Sequence, residues 1–270
     1  MVASDKLFAG SIPEIYDRLL VPLIFESYAR DLAERVAGLD PRSILETAAG
    51  TGVLTRALGS RLPTAARIVA TDLNQPMLDR AAERQQEDRR ISWQQTDALN
   101  LPFVDAEFDV VVCQFGVMFF PDKVRAYREA RRLLKPGGRF LFSVWDAISE
   151  NEFADVVTEA MAAVFPKDPP VFLARAPHGY RDVQTIREEL IAAGFGAVGF
   201  ETLDKTSAAR SPGDVEIAYC QGTPLRNEIE ARDVSHLEAA TAAAAEALAR
   251  RFGNGAIEGR IRAHVITAGR

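Results

Sequence analysis

The stretch ILETAAGTGVLT, Ile44–Thr55, decides how the rest of the chain is read. Ser43–Thr47 has the apolar character of a short strand, Gly50 and Gly52 mark a tight turn, and Val53–Arg61 has helical spacing. Gly50 and Gly52 permit close approach of a ligand to the backbone, and Ala48 and Ala49 are small enough not to block it. Ala48 stands where a nucleotide-binding loop commonly has its first glycine, and Glu46 precedes the turn.

On either side of this stretch the pattern alternates. Arg67–Asp72, Ile91–Gln95, the Val110–Val112 region and Gly138–Trp145 read as strands two to five, with helices beginning near Pro76 and Asp122 between them. KPGG reads as a stop and turn ahead of strand five. FGAVGFETL and IRAHVITA supply strands six and seven. Such alternation predicts an α/β fold: a seven-stranded, mostly parallel sheet with helices on both faces. Helical segments at 150–166 and 212–252 read as insertions after strands five and six, forming a candidate substrate cap. Residues 1–40 read as a helical preface interrupted by Pro22, 44–145 as the cofactor-binding core, and 1–270 as one domain.

Composition narrows the function classes. With 270 residues, 47% hydrophobic, the chain can bury a large core without disulfide or metal staples. A formal net charge of -6 and the lack of a basic, aromatic-interleaved stripe argue against nucleic acid. Cys113 lies in an apolar run and reads as a buried thiol. Cys220 and the histidines at 178, 236 and 264 have no metal-ligand spacing, so no metal is expected. No run is long and apolar enough to span a bilayer, which with the absence of a leader pattern predicts a cytoplasmic protein.

In an open parallel sheet, ligands bind beyond the carboxyl ends of the strands. Four segments deliver suitable residues there: the Glu46–Gly52 turn, Asp72, Asp97 with Ala98, and Gln114. Asp72 lies 20 residues beyond Gly52, the placement of an acid that bonds a ribose diol. Asp97 can accept from an adenine amino group, and Leu73 and Met77 can flank the ring. Together these imply an adenosine-bearing ligand. A pyrophosphate favours three glycines and is disfavoured by Glu46, whereas an amine suits it; S-adenosylmethionine therefore fits better than NAD.

The segments ILETAAGTG, VATDLNQPML, WQQTDALNLPF, FDVVVCQFGVMFFPD and RRLLKPGGRFLFSVWD resemble the successive motifs of class I S-adenosylmethionine-dependent methyltransferases, closest to the ubiquinone and menaquinone biosynthesis group. The resemblance is dense over residues 44–145. It implies a Rossmann-like sheet of order 3-2-1-4-5-7-6 with strand seven antiparallel. It also implies that Glu46 and Gln114 approach the methionine end, that Ala48, Gly50 and Gly52 form the small positions of the loop, that Asp72 and Leu73 meet ribose and ring, and that Asp97 and Ala98 meet adenine.

The expected activity is methyl transfer to a small, partly hydrophobic acceptor by in-line displacement. Tyr16, Phe119, Trp145, Asp146 and His178 are candidate substrate-pocket residues, and no catalytic base declares itself. Two alternatives stay open at this point: a non-catalytic protein that binds the cofactor or a partner, and an NAD-dependent oxidoreductase. The alanine-rich insertion leaves a homodimer open as well.

Overall fold

The computed structural model describes residues 5, 8–85 and 87–270. In chain order, α1 (Ile12–Ile15), a π-helix (Tyr16–Phe25) and α2 (Glu26–Ala37) precede β1 (Ser43–Thr47) and α3 (Val53–Arg61). Then come β2 (Arg67–Asp72), α4 (Gln75–Arg84), β3 (Ile91–Gln95), β4 (Phe108–Gln114), α5 (Lys123–Leu133) and β5 (Leu134–Trp145). The first insertion holds α6 (Glu152–Val164) and α7 (Phe172–Arg175), followed by α8 (Val183–Ala192) and β6 (Val198–Ala209). The second holds α9 (Pro212–Cys220), α10 (Leu225–Arg232) and α11 (His236–Phe252), and β7 (Ile257–Gly269) ends the chain.

The sheet has seven strands in the order β3-β2-β1-β4-β5-β7-β6. The pairs β1–β2, β1–β4, β2–β3 and β4–β5 are parallel. Strand β7 runs the other way. The Arg270 amide donates to the Gly138 carbonyl and the Asp146 amide to the Arg262 carbonyl, so advancing along β5 means retreating along β7. The sheet class, strand order and both insertions match the sequence-based expectation.

Two compact units divide the chain. One comprises residues 26–144, 181–203 and 264–270. Its core forms because β1 is buried along its whole length and the flanking helices present residues at helical spacing. Leu32 and Val36 of α2 and Leu54 and Leu58 of α3 pack with Ile44, Ile68, Val110, Val112 and Leu141 of the strands. The Asp122 carboxylate accepts from the Arg125 amide and caps α5. Lys135–Gly138, expected as a turn, lies within β5 as an irregularity: pairing jumps from Phe108–Leu134 to Val110–Arg139.

The other unit comprises residues 1–25, 145–180 and 204–263, of which residue 5 and residues from 8 onward are described. Helix α11 packs on α6 and α9, and α9 packs on the π-helix. Ala240, Ala244 and Leu248 form the buried face of α11. The insertion is not one long helix. It breaks at Asp233, whose carboxylate takes the Ser235 amide in competition with helical bonding. Pro22 does not interrupt the preface either; it sits inside the π-helix, whose wider hydrogen-bonding period changes which residues share a face. Tyr16 and Phe25, nine residues apart, lie on one side about two π-turns apart and stack with centroids 5.2 Å apart. In an α-helix nine residues is about two and a half turns, which would oppose them.

Candidate functional site

The first candidate site is built on the carboxyl edge of β1, β2, β3 and β4. Glu46 is 1% exposed, and its carboxyl accepts from the Thr55 hydroxyl at 2.6 Å. Burial pushes it up to about 8, with the Thr55 hydrogen bond and the Arg56 charge opposing and nearby Asp72 adding to the rise. At neutral pH it is therefore largely a neutral acid, suited to gain charge when an ammonium group arrives.

Asp72 ends β2 and is 7% exposed. Its Oδ2 accepts from the Gly50 amide at 2.9 Å, and its Oδ1 from the Asn74 amide at 2.8 Å. Burial raises this acid too, the amide bonds from Asn74 and Gly50 opposing. Oδ1 also accepts from the Asn74 side-chain amide at 3.3 Å, whereas Oδ2, bonded to the Gly50 amide, has a second lone pair for a hydroxyl. The Ala49 amide donates to the Thr71 carbonyl at 2.9 Å, which ties the other side of the turn to β2.

The turn uses left-handed backbone three times, at Ala48 (φ 53°), Gly50 (φ 57°) and Gly52 (φ 78°). Ala48 is therefore a costly position for a residue with a Cβ, on the order of 1–2 kcal/mol. Gly52 has a separate reason to be glycine: an added Cβ would lie 2.8 Å from the Trp93 indole. Strand β4, which pairs with β1, ends in the same way. Phe115, which follows Gln114, has φ 52°, is buried, and meets Tyr28 edge-on with centroids 5.3 Å apart.

The other expected cofactor residues are placed as follows. Leu73 is 45% exposed and Met77 is buried. Asp97 is exposed, its Oδ1 accepting from the Leu99 amide at 2.9 Å, and Ala98 is half-buried. Asp72 pairs in register with Gln95, whose side-chain amide donates to the Leu73 carbonyl. Thr55, Asn74 and Gln95 are not among the residues expected from the sequence. Thr55 had a signal, since it follows the glycine turn on the inward face of the first helical turn; Gln95 had none.

The second candidate site lies in the other unit. Tyr16 stacks on Phe25, the Phe25 and Trp145 centroids are 5.9 Å apart, and Trp145 and His178 are 6.0 Å apart. His178 Nδ1 is 2.8 Å from the Asp146 carbonyl. A carbonyl only accepts, so Nδ1 carries the hydrogen. Four of the five expected pocket residues thus come together; Phe119 belongs to the first unit, in a short 3-10 turn. Phe25, which the sequence reading did not single out, joins Tyr16 to Trp145. In the same unit Glu216 of α9 is pushed up to about 7 by burial. Among the described residues no cluster of His, Cys, Asp or Glu could hold a metal ion, and no helix is long and apolar enough to cross a membrane.

Residues 45–142, the segment carrying the first site, match the family model described as a methyltransferase domain. The demethylmenaquinone methyltransferase of Deinococcus radiodurans is 31% identical over 168 residues, covering 61% of this chain and 69% of that protein. That of Mycolicibacterium paratuberculosis is 30% identical over 188 residues, covering 66% and 78%. The chain belongs to the class I S-adenosylmethionine-dependent methyltransferases related to UbiE. It is an enzyme of methyl transfer, with S-adenosylmethionine as its cofactor. The YcgJ protein of Bacillus subtilis shares the methyltransferase's fold, with a TM-score of 0.58 at 18% identity over 90% of this chain and 98% of that one.

Proposed function

We propose that this methyltransferase binds S-adenosylmethionine at the carboxyl edge of β1 to β4 and methylates a small, planar, quinone-like ring. One observation carries the cofactor assignment: the buried Asp72 carboxylate, spanning the Gly50 and Asn74 amides at the end of β2. In this reading Asp72 accepts from the ribose hydroxyls, and Asp97 and the Ala98 amide meet the adenine. Leu73 and Met77 flank the ring. Glu46 and Gln114 take the methionine end, across β1 from Asp72, with Ala48, Ala49, Gly50 and Gly52 letting the ligand approach the backbone.

The residues fit the group. A buried acid that accepts from Thr55 suits an incoming ammonium, which favours its charged form, whereas a pyrophosphate offers it no such partner. Bound S-adenosylmethionine supplies an activated methyl group, so the chain's own work is alignment and exclusion of water. On the acceptor side, the names of the relatives point to a quinone-type ring, and the row Tyr16, Phe25, Trp145 and His178 offers flat aromatic surface for one. In this reading His178, its Nδ1–H held by the Asp146 carbonyl, serves as an acceptor-side base. Trp145 and Asp146 orient it, by ring contact and carbonyl respectively.

The test combines calorimetry with an acceptor screen. S-adenosylmethionine should bind and NAD should not, and Asp72→Ala should weaken binding at least tenfold. Transfer of labelled methyl should be seen with soluble hydroxynaphthalene and hydroxybenzoquinone analogues. NAD binding without S-adenosylmethionine binding overturns the cofactor assignment, and transfer confined to non-aromatic acceptors overturns the ring assignment.

A further inference from the structure

The two left-handed alanine and phenylalanine positions, Ala48 after β1 and Phe115 after β4, border one small space. Glu46 pairs with Val112, so Ala48 and Gln114 stand level, each two residues beyond that pair. Gly116 is the next residue but one, and it has no side chain for a specific reason. A Cβ added there would lie 2.4 Å from the Ala48 Cβ and 2.7 Å from the Cys113 sulfur. The methyl group that Ala48 adds to the loop already occupies the space a side chain at 116 would need.

Cys113 fixes the floor of this space. Its thiol is hydrogen-bonded to Thr47 of β1 and takes the amides of Gly116 and Val117, so it grips both loops. The backbone cannot yield easily. The Phe115 amide is bound to the Ser143 carbonyl at 3.1 Å, the Phe115 ring is buried against Tyr28, and the Ala49 amide is bound to Thr71. Strain that persists because its surroundings hold it in place is the kind found where geometry matters to a ligand.

We propose that Ala48 and Gly116 are a size-matched positioning pair, sharing one methyl-sized space, and that the match sets where the methionine end of the cofactor sits. The inference rests on the cofactor reading above. With ribose and adenine assigned to β2 and β3, the loops after β1 and β4 are left for the methionine end. The adenosine end is assigned to Asp72 and Asp97, neither of which borders the space between Ala48 and Gly116. A mismatch at 48 and 116 therefore discriminates between the two ends of one ligand, which general damage to the fold would not do.

Calorimetry on the full chain tests this with S-adenosylhomocysteine and, separately, 5′-methylthioadenosine, which lacks the aminobutyrate carboxylate and amine. Gly116→Ala should weaken S-adenosylhomocysteine at least tenfold and methylthioadenosine less than threefold. Adding Ala48→Gly should recover most of that loss, and Cys113→Ala in the double variant the remainder. Equal losses for both ligands, or a double variant no better than Gly116→Ala, overturn the pair. If Gly116→Ala fails to fold, the reverse comparison decides: Ala48→Val, enlarging the other partner, should lose S-adenosylhomocysteine selectively, and equal loss overturns the proposal. Absence of binding by the unaltered protein would instead overturn the cofactor reading, since it precedes any comparison of variants.

Discussion

The turn after β1 and the aromatic row of the other unit are opposite ways of making a site. The turn is local. Glu46, Ala48, Gly50, Gly52 and Thr55 lie within ten residues of one another, and the partner acid Asp72 is held to Gly50 by a single hydrogen bond. The row draws Tyr16, Phe25, Trp145 and His178 from three distant parts of the chain, joined by ring contacts and one carbonyl. A local site carries its chemistry in spacing, whereas an assembled one carries it in packing. Substitutions should therefore separate the two, cofactor affinity answering to the turn and acceptor kinetics to the row.

The largest effect is expected at Asp72. Asp72→Ala removes the proposed ribose acceptor and leaves the Gly50 amide without its carboxylate. A cost of about 1.5–3 kcal/mol for a hydrogen bond to a charged group corresponds to roughly ten- to a hundredfold weaker cofactor binding. Calorimetry measures this directly, and a fall in acceptor affinity with cofactor affinity intact would break the division.

His178 should behave in the converse way. His178→Ala should lower kcat/KM for the acceptor about tenfold or more, with cofactor affinity unchanged. An unchanged kcat/KM would show that His178 only packs against Trp145.

Glu46 sharpens the comparison through pH. In the free protein it is neutral below about 8, and a cationic amine binds its carboxylate, so cofactor affinity should rise as pH increases toward 8. At pH 7, binding should release close to one proton, measured by calorimetry in buffers of different ionisation enthalpy. The effect on stability has the opposite direction. Between 4.5, the ordinary carboxyl value, and about 8, the unfolded chain ionises at this position and the folded one does not. Rising pH therefore removes stability across that window, by an amount on the order of a few kcal/mol. Glu46→Gln should flatten the loss in a thermal-unfolding series while weakening the cofactor.

The smallest effect is expected at Phe25. Phe25→Leu keeps the volume apolar but loses the ring contacts on both sides, each worth about 0.5–1.5 kcal/mol. A several-fold rise in acceptor KM with unchanged cofactor affinity is the expected result.

What the sequence made legible follows the same division. The strands from β1 to β4 could be read because continuous apolar runs bounded by turn residues mark buried parallel strands, and Glu46, Asp72 and Asp97 sit at fixed places relative to their ends. The importance of Ala48 could not be judged that way. In the sequence it is only a small residue in place of a glycine, whereas its left-handed backbone and its conflict with a side chain at Gly116, 68 residues away, are visible only in the fold. Phe25 was hidden for a different reason: the α-helical period assigns it to the wrong face, and only the π-helix puts it beside Tyr16. Pro22 gave a visible sign of irregularity, but the sign suggests a break more readily than a change of period.

Cys113 has a practical consequence. Both thiols of the chain are buried, and burial pushes each up to about 12, so neither is a ready nucleophile in the folded protein. A single surface cysteine can then be introduced for labelling without first removing the native pair. Cys113 itself becomes a clock: slow modification by a small thiol reagent reports how often the floor beneath Ala48 and Gly116 opens, and saturating cofactor should slow that clock without any label being attached beforehand.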